Sequence, residues 1–169
     1  GKVLKRLTDV NADVEMVGQD DKFVYYTSAE VSPVDNHLFR VEVKSGKKTR
    51  LTQAEGWHKV TMSGDMKYFV DNYSSLKVPR VILLVQNDGK KVKELLKAED
   101  PTKDYNFGEI TLGTVKSADG KFNNYYRLIK PMNFDASRKY PVIVYVYGGP
   151  HSQMVKNTWQ AEMRRWEMY

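Results

Sequence analysis

The sequence predicts a mostly β chain: two four-stranded blades of the propeller type, followed by the opening of a mostly parallel sheet. Three observations carry this reading. An internal repeat recurs at roughly 43–45 residues, the length of a four-stranded propeller blade. Short alternating segments rich in aromatic and β-branched residues fill each repeat, as half-buried strands do. Near the carboxyl end the run Val142-Ile143-Val144-Tyr145-Val146-Tyr147 has no alternation at all, which suits a strand covered on both faces.

The repeat is marked by Arg6-Leu7-Thr8 and Arg50-Leu51-Thr52, with a looser Glu94-Leu95-Leu96 a similar distance on. Gly-Lys precedes each of them, at Gly1-Lys2, Gly46-Lys47 and Gly89-Lys90. In the first period the strands fall at Val14–Val17, Lys22–Thr27, Leu38–Val43 and Lys48–Thr52. In the second they fall at Lys59–Met62, Lys67–Val70, Arg80–Gln86 and Lys91–Leu96. Gln19-Asp20-Asp21, Ser45-Gly46 and Asn87-Asp88-Gly89 supply the turns. Residues 90–100 also fit a short amphipathic helix through Val92, Leu95 and Leu96, and the repeat register decides for a strand. One blade cannot bury both of its faces alone and must stack on a neighbour. Two are too few to close a ring, so the sequence is expected to be part of a longer protein.

Residues 97–106 are polar and read as a linker. A hairpin follows, Gly108–Lys116 and Phe122–Lys130 about the turn Ser117-Ala118-Asp119-Gly120. Residues 131–139 form a loop before the apolar run, which ends in the sharp turn Gly148-Gly149-Pro150. Asn157 with Gln160 resembles a capping box. Trp159, Met163 and Trp166 then follow at helical spacing. The domain boundary is therefore placed near 104, with residues 1–104 as blades and 105–169 as the start of a second domain.

Composition narrows the function. The 169 residues carry 27 Lys plus Arg against 21 Asp plus Glu, a formal charge of +6, and no Cys. Absence of Cys removes disulfide frameworks, thiolate metal sites and Cys nucleophiles together. The basic clusters Lys47, Lys48, Arg50 and Lys90, Lys91, Lys93, Lys97 follow Gly turns inside strand segments, where lysines blunt exposed sheet edges. Nucleic acid is therefore not the expected partner. Mean hydropathy is −0.59, and no apolar stretch approaches the roughly 20 residues of a membrane helix. No G-x-S-x-G, G-x-G-x-x-G, P-loop or H-E-x-x-H occurs. His37, His58 and His151 are far apart in sequence, so neither a metal nor a cofactor is expected. His58, in Gly56-Trp57-His58, reads as a packed blade residue rather than a catalyst. With no nucleophile, base or acid of its own, the chain by itself is expected to be inactive.

Val146-Tyr147-Gly148-Gly149-Pro150-His151 is the segment with chemical content. An apolar strand, a Gly-Gly-Pro turn and an amphipathic helix match the loop after the third strand of α/β-hydrolases, which supplies a donor to the oxyanion hole. Acyl transfer builds charge on the carbonyl oxygen, and a fixed donor about 3 Å away stabilises it by several kcal/mol. A tyrosine hydroxyl keeps its proton at neutral pH and so donates without carrying charge. From position alone Tyr147 reads rather as a strand-end residue packing its ring in the core.

Gly56-Trp57-His58, Ser63–Asp71 and Tyr140–His151 make the chain resemble, along essentially its whole length, the prolyl oligopeptidase family of serine peptidases. Within it the Tyr and Pro of Tyr147-Gly148-Gly149-Pro150 favour the dipeptidyl peptidase IV branch. The resemblance implies a propeller covering an α/β-hydrolase domain, with Tyr147 as the oxyanion-hole hydroxyl and the Ser-Asp-His triad outside these residues. It implies release of dipeptides from free amino termini, after Pro or Ala, through an acyl-enzyme. It further implies peptide substrates as partners, a homodimeric parent, and a periplasmic or secreted location. An acylaminoacyl peptidase or oligopeptidase of the same family, or a non-catalytic propeller interaction module, are the alternatives. Exposed blade edges and an uncovered apolar run predict that the chain alone associates or is poorly soluble.

Overall fold

Alternating aromatic and β-branched side chains commit residues 14–97 to strands. The computed structural model, which describes residues 2, 3, 5–149 and 152–162, pairs them into two four-stranded antiparallel sheets. The first comprises β1 (Val14–Gln19), β2 (Phe23–Ser28), β3 (His37–Glu42) and β4 (Lys48–Arg50), in that spatial order. The second repeats the pattern with β5 (Trp57–Met62), β6 (Tyr68–Ser75), β7 (Val78–Gln86) and β8 (Lys91–Lys97). The ambiguous segment after Gly89 is thus a strand, as the repeat register requires.

Side-chain chemistry explains the turns. Asp20 caps the first hairpin, its Oδ1 accepting from the amides of Lys22 and Phe23 at 2.8 and 2.7 Å. Gly46 takes φ 75° in the turn before β4, a conformation that costs glycine little. In Ser63-Gly64-Asp65 and again in Ser117-Ala118-Asp119 the serine hydroxyl donates to the aspartate, at 2.7 and 2.6 Å.

Strands β2 and β3 are buried on both faces, and their alternation sorts the core into two layers. Tyr25 and Leu38 join Leu51, Phe69 and Val85 in one cluster that spans the seam between the sheets. Tyr26, Phe39 and Val41 face the other way, where Leu7 and Val24 cover them. Each fully buried aromatic contributes about 1.5–3 kcal/mol of transfer free energy, so the seam is the main apolar bond between the two sheets. Polar groups tie it as well. Tyr25 donates its hydroxyl hydrogen to Asp20 at 2.9 Å and accepts from Asn87 Nδ2 at 3.2 Å, while Arg40 Nη1 donates to the Asn87 carbonyl at 2.8 Å. Desolvation and the Asp20 carboxylate push the Tyr25 phenol up to about 12.

Beyond the polar residues 98–109, β9 (Ile110–Lys116) and β10 (Asn123–Ile129) form the expected hairpin, in register from Asn123↔Lys116 to Ile129↔Ile110. Two expectations are corrected after it. The run Val142–Tyr147 is not a strand: Val142, Ile143 and Val144 are 77%, 84% and 81% exposed. No strand among the described residues lies beside it, and a strand without neighbours has no ladder for its amides and carbonyls. The first turn of the helix expected after Asn157 is, among the described residues, a short 3-10 turn, Trp159–Glu162, in which Gln160 and Ala161 adopt φ 46° and 51°. Met163 and Trp166, like Pro150 and His151, lie outside the described residues. No helix among the described residues is long and apolar enough to cross a membrane.

Candidate functional site

Gly149, and not Gly148, leaves room for the Tyr147 ring. A Cβ on Gly149 would lie 2.7 Å from the Tyr147 hydroxyl oxygen, closer than side-chain atoms approach, so only glycine leaves the ring where it is. Tyr147 is 45% exposed, and its phenol is not sealed in a core. It lines an open cavity of about 950 Å³ between the edge strands β1 and β5 of the two sheets, together with Trp57, His58, Tyr125 and residues of β1. The cavity is of the size that takes a small ligand or a short peptide.

Beneath the cavity wall sits a buried polar cluster. The three histidines, distant in sequence, are not all distant in space: the His37 and His58 rings stand 5.1 Å apart, and His58 stacks on Tyr73 at 4.6 Å. His58 Nδ1 faces the Asp71 carboxylate at 2.8 Å and its Nε2 faces the Ala54 carbonyl at 2.9 Å. Both nitrogens face oxygen atoms of the protein, so neither is directed at a substrate or a metal. His37 differs. Thr52 Oγ1 accepts from the Leu38 amide at 3.0 Å and lies 3.1 Å from His37 Nδ1. Desolvation, followed by His58 and Arg50 nearby, holds His37 down to about 4. Among the described residues no group of three or more His, Asp or Glu could hold a metal ion.

The segment after the turn is fastened across the seam. Asn157 Nδ2 donates to Asp35 Oδ1 at 2.8 Å, and Asn157 Oδ1 accepts from the Leu76 amide at 2.8 Å. Asp35 Oδ1 also accepts from the Gly56 amide at 3.2 Å. Gly56 needs φ 130°, and a Cβ there would sit 2.2 Å from the Ser74 carbonyl oxygen, so the close approach at this junction requires glycine. With its acceptor given to Leu76, Asn157 does not cap a helix.

The sequence model of the family described as "Dipeptidyl peptidase IV (DPP IV) N-terminal region" matches residues 1–80. Human dipeptidyl peptidase 8 is 32% identical over 147 residues, covering 80% of this chain and 16% of that protein. The crystal structure of Porphyromonas gingivalis dipeptidyl peptidase 4 superposes with TM-score 0.87 at 30% identity, over 98% of this chain and 24% of that one. A Bacteroides ovatus crystal structure, provisionally assigned as a dipeptidyl aminopeptidase IV, matches at TM-score 0.86 and 41% identity, with 98% and 24% coverage. The chain belongs with the dipeptidyl-peptidase-IV-like proteins. It spans under a fifth of the human relative and about a quarter of the two solved chains.

In this dipeptidyl-peptidase-IV-like chain, sequence reasoning singled out Tyr147 as its candidate and did not reach the buried polar residues Asp71 and Asp35 or the half-buried Asn157. Asp71 carried a legible signal, an acid within the apolar strand Tyr68-Phe69-Val70-Asp71, which calls for a buried partner. Asp35 and Asn157 carried none, because their pairing spans 122 residues.

Proposed function

We propose that the longer protein to which these residues belong is a serine peptidase that releases dipeptides from free amino termini, after Pro or Ala, through an acyl-enzyme. Residues 1–104 serve as blades of its propeller, and residues 105–169 open its α/β-hydrolase domain. The nucleophile, base and acid come from outside this chain, which alone is inactive. The observation that carries the reading is the half-exposed Tyr147 phenol on the wall of an open cavity between two sheets. A carbonyl entering there has room beside a neutral donor, and a donor already fixed in place stabilises the oxyanion as it forms. Gly148 and Gly149 let the peptide approach the backbone closely. Attack and proton transfer fall to the absent triad, while Tyr147 holds the charge of the tetrahedral intermediate.

The test is an assay of the full-length protein on Gly-Pro-p-nitroanilide and its amino-blocked analogue. Cleavage of the free substrate only, with Tyr147→Phe lowering kcat by about 10²–10³, is expected. Cleavage of blocked substrates only would place it among the acylaminoacyl peptidases. An unchanged kcat in Tyr147→Phe would contradict the oxyanion role.

A further inference from the structure

The seam between the two sheets is apolar in the middle and polar at both ends. Tyr25, Leu38, Leu51, Phe69 and Val85 fill the middle. The end beside the β1–β2 turn is held by Asp20, Tyr25, Arg40 and Asn87, without a histidine. The opposite end, where β3 and β5 begin, is built on two imidazoles. His37 and His58 are 2% and 1% exposed, and their rings stand 5.1 Å apart. The described residues alone bury them, so the rest of the longer protein can only add to that burial.

The two rings have one carboxylate between them. Asp71 faces His58 Nδ1 through both oxygens, at 2.8 and 2.9 Å, and Ala54 presents its carbonyl to Nε2 at 2.9 Å. His37 has a neutral hydroxyl beside it, Thr52 Oγ1 at 3.1 Å, and no ion pair among the described residues. A cation taken out of water needs a counter-charge in contact, and only one of the two rings has it. Burial first, then the charges of His58 and of Arg50 at the end of β4, oppose a proton on His37; Asp35, in the loop before β3, and Thr52 favour it more weakly. On the far side of His58 lies Tyr73 of β6, whose phenol is raised by burial first and then by Asp71 and by Glu94 of β8.

Backbone bonds that join the two sheets lie next to the rings. Asn36 N donates to the Gly56 carbonyl at 3.1 Å and His58 N to the Asn36 carbonyl at 3.0 Å, while Asn36 Nδ2 donates to the His58 carbonyl at 2.8 Å. Asn36, Trp57, His58, Lys59 and Val60 also line the large cavity. A change at the two rings therefore reaches one wall of it.

We propose that His37 and His58 form an acid-operated latch at this end of the seam: at neutral pH a neutral His37 packs against His58, whose charge Asp71 matches, and a further proton from solvent, taken by His37, parts the Asn36–His58 junction and frees the β5 wall of the cavity. Imidazole is the side chain whose charge changes in this range. The latch needs no assignment for Tyr147, so it stands or falls apart from the peptidase reading.

The test is hydrogen–deuterium exchange of the full-length protein at pH 7 and pH 5, each rate divided by that of the same amide in an unstructured chain at the same pH. His37 titrates at about 4 in the closed seam and near its ordinary value of about 6.5 once solvated. Below that value the open state binds more protons, so acid favours opening. Peptides containing the Asn36, Leu38 and His58 amides are expected to exchange about 20-fold faster at pH 5 than at pH 7. Those containing Phe69 and Val85, in the apolar middle, are expected to change less than about threefold, as in a local opening. In His37→Asn, which takes up no proton in this range, the rise at the first set is expected to fall below about threefold.

A rise as large in His37→Asn as in the parent would overturn the latch, because other groups would then carry the acid response. An equal rise at Phe69 and Val85 would overturn it too, since the whole fold and not this end would be opening. Unchanged exchange in the parent would do the same. Should His37→Asn fail to fold, His37→Gln replaces it, and the parent's contrast between the two sets of peptides still decides.

Discussion

Val81–Val85 and Val142–Tyr147 are both uninterrupted apolar runs, yet only the first is a strand. Val81-Ile82-Leu83-Leu84-Val85 lies in β7 between β6 and β8, and Val81 and Val85 are buried. The second run has no strand beside it among the described residues and remains open to solvent. Composition made both capable of strand structure, but a neighbouring ladder on each side decided which one adopts it. The apolar run that lacks a ladder among the described residues is the one that leads to Tyr147.

The difference can be tested in urea titrations of the chain at low concentration. Phe69→Ala removes an aromatic from the cluster between the sheets and is expected to cost about 3–5 kcal/mol. Ile143→Ala is expected to stay within about 0.5 kcal/mol. Equal losses would mean that the exposed run is packed as tightly as the seam. Asp71→Ala leaves the buried His58 ring facing an empty site and is expected to cost about 3–5 kcal/mol, as removal of one partner of a buried pair does. Substitution of an exposed partner, such as Lys121 beside Asp119, should change stability by less than about 0.5 kcal/mol.

Acid sharpens the contrast further. His37 titrates near 4 in the fold and near its ordinary value of about 6.5 when unfolded. Between those values the unfolded chain binds more protons, so stability is fully present above pH 6.5 and is lost as pH falls toward 4. From pH 7 to pH 5 the expected loss is up to about 2 kcal/mol, and His37→Asn should flatten that dependence. His58, Arg50 and Asp35 are the charged or titratable groups acting on His37, and an unchanged slope in His37→Asn would assign the loss to other groups. Sedimentation gives the smallest effect: Ile143→Lys is expected to raise the monomer fraction of the chain, since a charge interrupts an exposed apolar run.

How much of this was legible follows from the same distinction. Strands β1 to β10 could be read because alternation, turn residues and the Gly-Lys repeat are local signals. Even the ambiguous residues 90–100 were settled by register with the equivalent Lys48–Thr52 segment. The run at 142–147 was misread because its period reports burial in an assembly of strands, not the presence of one. The seam was not legible at all. His37 meets His58 only after β3 and β5 pack, and Asn157 looked like a helix cap until Leu76 and Asp35 took its amide. Tyr147 was legible as chemistry, through the glycines after it, while its cavity arises from β1 and β5, more than 80 residues away.

The most direct measurement concerns the charge that the phenol is held to receive. A dipeptidyl trifluoromethyl ketone forms a tetrahedral adduct bearing an oxyanion, whereas the substrate ground state bears none. In the full-length protein, Tyr147→Phe is expected to weaken the ketone by the same factor of about 10²–10³ by which it lowers kcat, with KM for the peptide nearly unchanged. Undiminished binding of the ketone would contradict the account, because Tyr147 would then face a cavity without serving the reaction.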